Sequence, residues 1–92
     1  MKTLKLFATL RDIAGAGTIT IPFEDGITVR QMIENIRHVQ PALAEAILDE
    51  RGELTGLVHV MVHGRNIYWL DGLETTVREK DQVVLMPPSA GG

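Results

Sequence analysis

Ninety-two residues, 45% hydrophobic and 23% charged, are enough for one compact domain with a modest core and leave no room for a second. The net charge of −3 and the scattering of nine Lys and Arg leave no basic stripe for a nucleic-acid groove, so any charged partner is expected to be basic. The absence of cysteine excludes disulfides, thiolate nucleophiles and zinc-thiolate sites. The N-terminal stretch carries a lysine inside its apolar run, and no eighteen apolar residues run together, so neither a signal peptide nor a membrane span is expected and the chain reads as cytoplasmic.

In chain order, "TLKLF" alternates, with Leu4 and Leu6 on one face and Thr3, Lys5 and Phe7 on the other, and predicts a half-buried strand. "TITIPF" repeats the pattern with Ile19, Ile21 and Phe23. It predicts a second strand joined to the first by a loop, and Pro22 points to a sheet edge.

"EDGITVRQMIENIRHVQP" then changes period. Val29, Met32, Ile33 and Ile36 share one helical face, Thr28 is placed to cap the N-terminus, and Pro41 marks the break. "PALAEAILDE" predicts a second, shorter helix that starts near Pro41 and has Gly52 just past its end, with Leu43, Ile47 and Leu48 closing over the core.

"GLVHVMVHG" returns to period two and predicts a central strand, Val58, Val60 and Val62 facing one way and His59, Met61 and His63 the other. Beyond the "WLDG" turn and an irregular stretch, "QVVLM" predicts the last strand, ended by Pro87 and Pro88. Tyr68 and Trp69 are expected to pack over the core edge. Two strands, a crossover helix and two or three further strands make an α+β unit. This order fits the β-grasp architecture, a mixed sheet of four to five strands covering one main helix, with the domain over 1–86 and a tail over 87–92.

The tail "PPSAGG" carries the chemistry. Two prolines forbid ladder pairing and stiffen the chain, so the residues beyond them project from the domain. Ser89 and Ala90 are small, and Gly91 and Gly92 have no side chain, so the last residues suit a narrow channel in which a Cβ would clash. A carboxylate on Gly92 is a poor electrophile until it is activated. An ATP-dependent partner can adenylate it, and the mixed anhydride then accepts sulfur to give a thiocarboxylate or an amine to give an amide.

Other constellations are weaker. His59 and His63 would lie about 13 Å apart along a strand, too far for one ion, and His38 sits on the polar side of the helix, so no metal site is expected. Ser89 has no His or carboxylate placed to activate it, and Gly15 and Gly17 lack the third glycine of a dinucleotide loop. Phe7, Met61, Val84 and Met86 fall out of phase with the core residues and are expected to share the open sheet face as a docking patch.

The stretches "LFATLRDIAG", "DGITVRQMIENI" and "DQVVLMPPSAGG" resemble the opening strand and turn, the helix start, and the closing strand and tail of MoaD/ThiS-type sulfur carriers. This ubiquitin-like family includes the small subunit of molybdopterin synthase. The resemblance implies adenylation of Gly92 by an E1-like enzyme, conversion to a thiocarboxylate, and delivery of sulfur to an acceptor, a pyranopterin in the case of molybdopterin synthase. The chain would then be a co-substrate and not an enzyme. It would bind no cofactor itself; ATP would be used by the activating partner, and catalytic side chains would belong to the large subunit or another sulfur-accepting enzyme.

Arg11 matches a recurrent arginine of the family and Lys80 a position near the tail, and the resemblance implies that each touches a partner; read from the residues alone, Arg11 is equally a solvated loop arginine and Lys80 a turn charge. The family often has an aromatic residue where this chain has Met86, and Asn-Gly where it has His63-Gly64. "LDGLETTV" and "PALAEAILDERGELTG" also resemble the sulfur carriers of cysteine biosynthesis and the archaeal small modifier proteins. Three function classes are open: a sulfur carrier for a small-molecule acceptor, including thiamine-type pathways; a modifier joined through Gly92 to target lysines; and an interaction subunit whose tail fills a partner's groove.

Overall fold

The computed structural model describes residues 1–88, in which a five-stranded mixed sheet packs one face against two helices. The strands are β1 (Lys2–Leu6), β2 (Thr18–Ile21), β3 (His59–Val62), β4 (Arg65–Asn66) and β5 (Val83–Met86), arranged β2-β1-β5-β3-β4. The helices are α1 (Thr9–Ala14), α2 (Val29–Val39) and α3 (Pro41–Ile47).

β1 and β2 pair antiparallel, with Leu4 opposite Ile19 and Lys2 opposite Ile21. As Pro22 suggested, β2 lies on the edge, where its following proline removes no ladder bond. β1 and β5 run parallel, Lys5 beside Val84 and Leu6 beside Leu85, so the first and last strands form the middle of the sheet. The strand expected to be central, β3, is interior, but the middle position belongs to β5. The inward residues Leu4, Ile21, Val60, Val83 and Leu85 meet Met32, Ile33 and Ile36 of α2 and Leu43 and Ile47 of α3, and all of these are essentially inaccessible to solvent.

α2 starts where its capping chemistry dictates. The Gln31 N–H donates to Thr28 Oγ1 at 3.2 Å, and the Thr28 N–H donates to Gln31 Oε1 at 3.1 Å. Two N–H groups that the helix leaves unpaired are thereby satisfied. Pro41 takes the first position of α3, where its missing N–H costs nothing.

Several elements depart from the sequence reading. The expected loop between β1 and β2 contains α1, a turn and a half that buries only Leu10, too short to show a period. α3 stops at Ile47, so Gly52 does not close it. Gly52 belongs instead to a turn in which Asp49 Oδ1 accepts from the N–H groups of Arg51 and Glu53 at 2.8 and 3.0 Å.

His63 is not on the outer face of β3. It forms with Gly64 the two-residue connection to β4, both at positive φ (52° and 79°), as the primed hairpin turns demand. The two-residue β4 and the 3₁₀ turns Ile67–Trp69 and Gly72–Glu74 lie before and across the "WLDG" turn, where the sequence predicts no regular element. Tyr68 and Trp69 do not cover the core edge: Ile67 takes the buried position, and the two aromatics are 72% and 75% exposed.

A buried lysine clamps the middle of the sheet. Lys2 shares the inward phase of Leu4 and Leu6, is 7% exposed, and donates through Nζ to the carbonyls of Arg78 and Glu79 at 3.1 and 2.8 Å. The ammonium also lies 4.8 Å from the centre of the Phe23 ring. These contacts tie the start of β1 to the approach to β5.

Candidate functional site

The strand registers assemble the open face. On β5 the burial alternates, so that Val83 and Leu85 face the helices while Val84 and Met86 are half-exposed on the opposite side. Val84 is flanked by Met61 of β3 and Lys5 of β1, and Met86 by His59 of β3. The Phe7 N–H donates to the Leu85 carbonyl at 3.1 Å, which holds Phe7, 45% exposed, beside Met86. Neighbouring strands lie about 4.8 Å apart, so Phe7, Met61, Val84 and Met86 form one continuous apolar surface.

Arg11 reaches the rim of this surface. It stands on α1 with its guanidinium beside Gly17, where an added Cβ would meet Nη2 at 3.4 Å, and it shares a shallow depression with Lys5 and Phe7. Lys80 does not join the group. It lies in the exposed turn before β5, at the end held by Lys2, with the four-residue β5 between it and the tail. The tail-proximal position that the family resemblance implied for Lys80 is therefore not found, because a strand separates its two ends.

Two residues placed on this face by phase but not counted in the expected patch also belong to the surface. Lys5 has the same phase as Phe7, and His59 sits opposite Met86. Among the outward residues of β1, β2, β3 and β5, Lys5 alone carries a fixed charge, so this face suits a neutral or acidic partner. The expectation of a basic partner came from the chain-wide charge, which the open sheet face does not share.

β5 ends at Met86, followed by half-buried Pro87 and exposed Pro88. The remaining tail residues, Ser89, Ala90, Gly91 and Gly92, lie outside the described residues. The apolar surface thus surrounds the root from which the tail departs, with Phe7 on one side and His59 on the other. Among the described residues no helix is long and apolar enough to cross a membrane, and no group of three or more His, Asp or Glu is gathered as metal ligands would be. His63 Nδ1 instead lies 4.0 Å from Asp81 in the hairpin connection.

Known proteins share this fold. The model of the ThiS family matches residues 4–92. The chain is 33% identical over 89 residues to small archaeal modifier protein 3 of Haloferax volcanii, covering 97% of this chain and 96% of the relative. It is 39% identical over 66 residues to a protein of Archaeoglobus fulgidus provisionally described as a sulfur carrier, covering 72% and 75% of the two chains. The crystal structure of SAMP1 from Haloferax volcanii superposes with a TM-score of 0.80 at 27% identity, covering 99% of this chain and 98% of that one. The β-grasp fold expected from the element order is the one these neighbours share.

Proposed function

Because the chain belongs to the ThiS family, we propose that it is a sulfur carrier whose Gly92 carboxylate is adenylated by an E1-like enzyme and converted to a thiocarboxylate. The carboxylate attacks the α-phosphate of ATP with release of pyrophosphate, and hydrosulfide then displaces AMP to leave the thiocarboxylate. The observation that carries the reading is the placement of Phe7, Val84 and Met86 around the root of a Pro-Pro-diglycine tail. An activating or accepting protein can grip the sheet while the tail enters its active site. The acceptor we favour is a pterin bound by a molybdopterin synthase large subunit, in keeping with the resemblance of "DQVVLMPPSAGG" to that family branch.

A second reading is favoured by the 33% identity to small archaeal modifier protein 3. In it an amine displaces AMP from the same adenylate and Gly92 becomes joined to a target lysine. Mass spectrometry of the protein recovered from its own cells separates the two. A terminal carboxylate with one oxygen replaced by sulfur supports the carrier, branched peptides linking Gly92 to lysines support the modifier, and an unmodified chain in the presence of active cognate enzymes refutes both.

The docking surface makes its own prediction. Phe7→Asp and Met86→Asp place a charge in the centre of an apolar contact, and each is expected to weaken binding to the activating enzyme by about thirtyfold or more. Titration calorimetry measures the loss, and circular dichroism is expected to show an unaltered fold because both side chains are already solvent-accessible. Unchanged affinity in both variants would remove the patch from the interface.

A further inference from the structure

The chain has four aromatic residues, and three are exposed: Phe7 at 45%, Tyr68 at 72% and Trp69 at 75%. Phe7 stands at the end of β5, whereas Tyr68 and Trp69 follow β4 and lie beyond β3. Phe7 stands on the β1 side, while Tyr68 and Trp69 line a groove of about 490 Å³ on the β3 side, whose wall includes the His59 that pairs with Met86. Leu54, Val58, Val60 and Ile67 supply most of the remaining lining. Although 23% of the chain is charged, no Asp, Glu, Lys or Arg lines this groove. Loss of charge together with exposed Trp and Tyr is the composition of an interface centre, and these are the side chains that most often dominate binding energy.

The aromatic wall of the groove is fixed by local contacts. Asn66 Oδ1 accepts from the Tyr68 N–H at 2.9 Å, and the two rings meet edge to face at 4.8 Å. Leu57, 67% exposed, extends the apolar lip between the lining residues Gly56 and Val58. The area decides the kind of occupant. The exposed three quarters of two aromatic side chains amount to about 200–400 Å², well short of the ~800 Å² per partner of a stable interface. Two copies facing each other through this groove would not hold; a contact joined to a second surface would.

We propose that the groove receives an uncharged segment, carrying one or two large apolar side chains, of the enzyme that activates the tail. The groove adjoins the open-face surface through His59, which lines the groove and pairs with Met86. The inference rests on the reading of Gly92 as the adenylated group.

The test uses the full chain and its cognate adenylating enzyme, with ATP–pyrophosphate exchange as the readout. Trp69→Ser and Tyr68→Ser are expected to raise the KM for this chain at least tenfold with kcat unchanged, the signature of lost uniform binding, and Trp69→Phe to restore most of the affinity. Their unfolding temperatures should match the wild type, since neither side chain is buried. An enzyme that activates wild type and both serine variants with equal KM overturns the groove alone, whereas an enzyme that does not activate the wild-type chain overturns the tail reading as well. If Trp69 fluorescence and the sedimentation coefficient change with the chain's own concentration, and Trp69→Ser abolishes the change, the groove is a self-association surface and the proposal fails.

Discussion

Removing Gly92, or adding one residue after it, is expected to lower the rate of tail adenylation by at least about a hundredfold, with thermal unfolding unchanged. One residue shifts the carboxylate by about 3.5 Å, and a displacement of only 1 Å from a productive geometry can cost on the order of 100-fold in rate. Stability should not follow, because the core of buried side chains ends at Leu85 and Pro88 is already exposed. Pyrophosphate exchange and calorimetry on the same samples check both halves. Adenylation that survives the extension would mean that the position of the Gly92 carboxylate is not what the enzyme requires, and a large fall in unfolding temperature on deletion would make the tail part of the fold.

The second large effect lies one residue from the docking surface. Leu85→Ala is expected to destabilise the domain by about 2–5 kcal/mol. Leu85 is fully buried on the middle strand, with β1 and β3 on either side and the helices above it. For a domain of this size that corresponds to a fall in unfolding temperature of about 10–30 °C, a large share of the ~5–15 kcal/mol that holds a typical native state. Chemical denaturation gives the free energy directly. Met86→Asp, its neighbour, should do the reverse and spare stability while weakening binding, so adjacent residues of β5 separate folding from recognition. A loss below about 1 kcal/mol for Leu85→Ala would mean that the surrounding side chains collapse into the space.

Long periodic segments were legible in the sequence because burial imposes their pattern. The alternation of Leu4 and Leu6, of Ile19 and Ile21 and of Val60 and Val62 reflects a sheet with one wet face, and Val29, Met32, Ile33 and Ile36 reflect a helix lying on the other. Short elements escaped for the same reason: α1 buries one residue, and β4 is two residues long. His63 was misplaced because alternation carries on in the sequence past the point where the backbone turns. Trp69 was misplaced because hydrophobicity was read as burial, whereas Ile67 fills that position.

The candidate site was legible in part. Phase alone put Phe7, Met61, Val84 and Met86 on one face, but only the register could bring them together and send Lys80 to the far end. Lys2 shows the converse limit, because a charged residue in an inward phase needs its acceptors, the carbonyls of Arg78 and Glu79, to be known before burial makes sense.

The pairing of β1 with β5 also has a kinetic meaning. The Lys2–Glu79 bond joins residues 77 positions apart, and contacts of such long separation form slowly, because a large loop must close before they contribute. Met86 ends β5 and Phe7 directly follows β1, bonded to Leu85, so the surface they make does not exist in a chain that has formed only its helices or its β1–β2 hairpin. If the proposed activating enzyme grips both residues before admitting the tail, it would also discriminate against unfolded chains, and molecules that carry the same glycines without the completed sheet would be left uncharged.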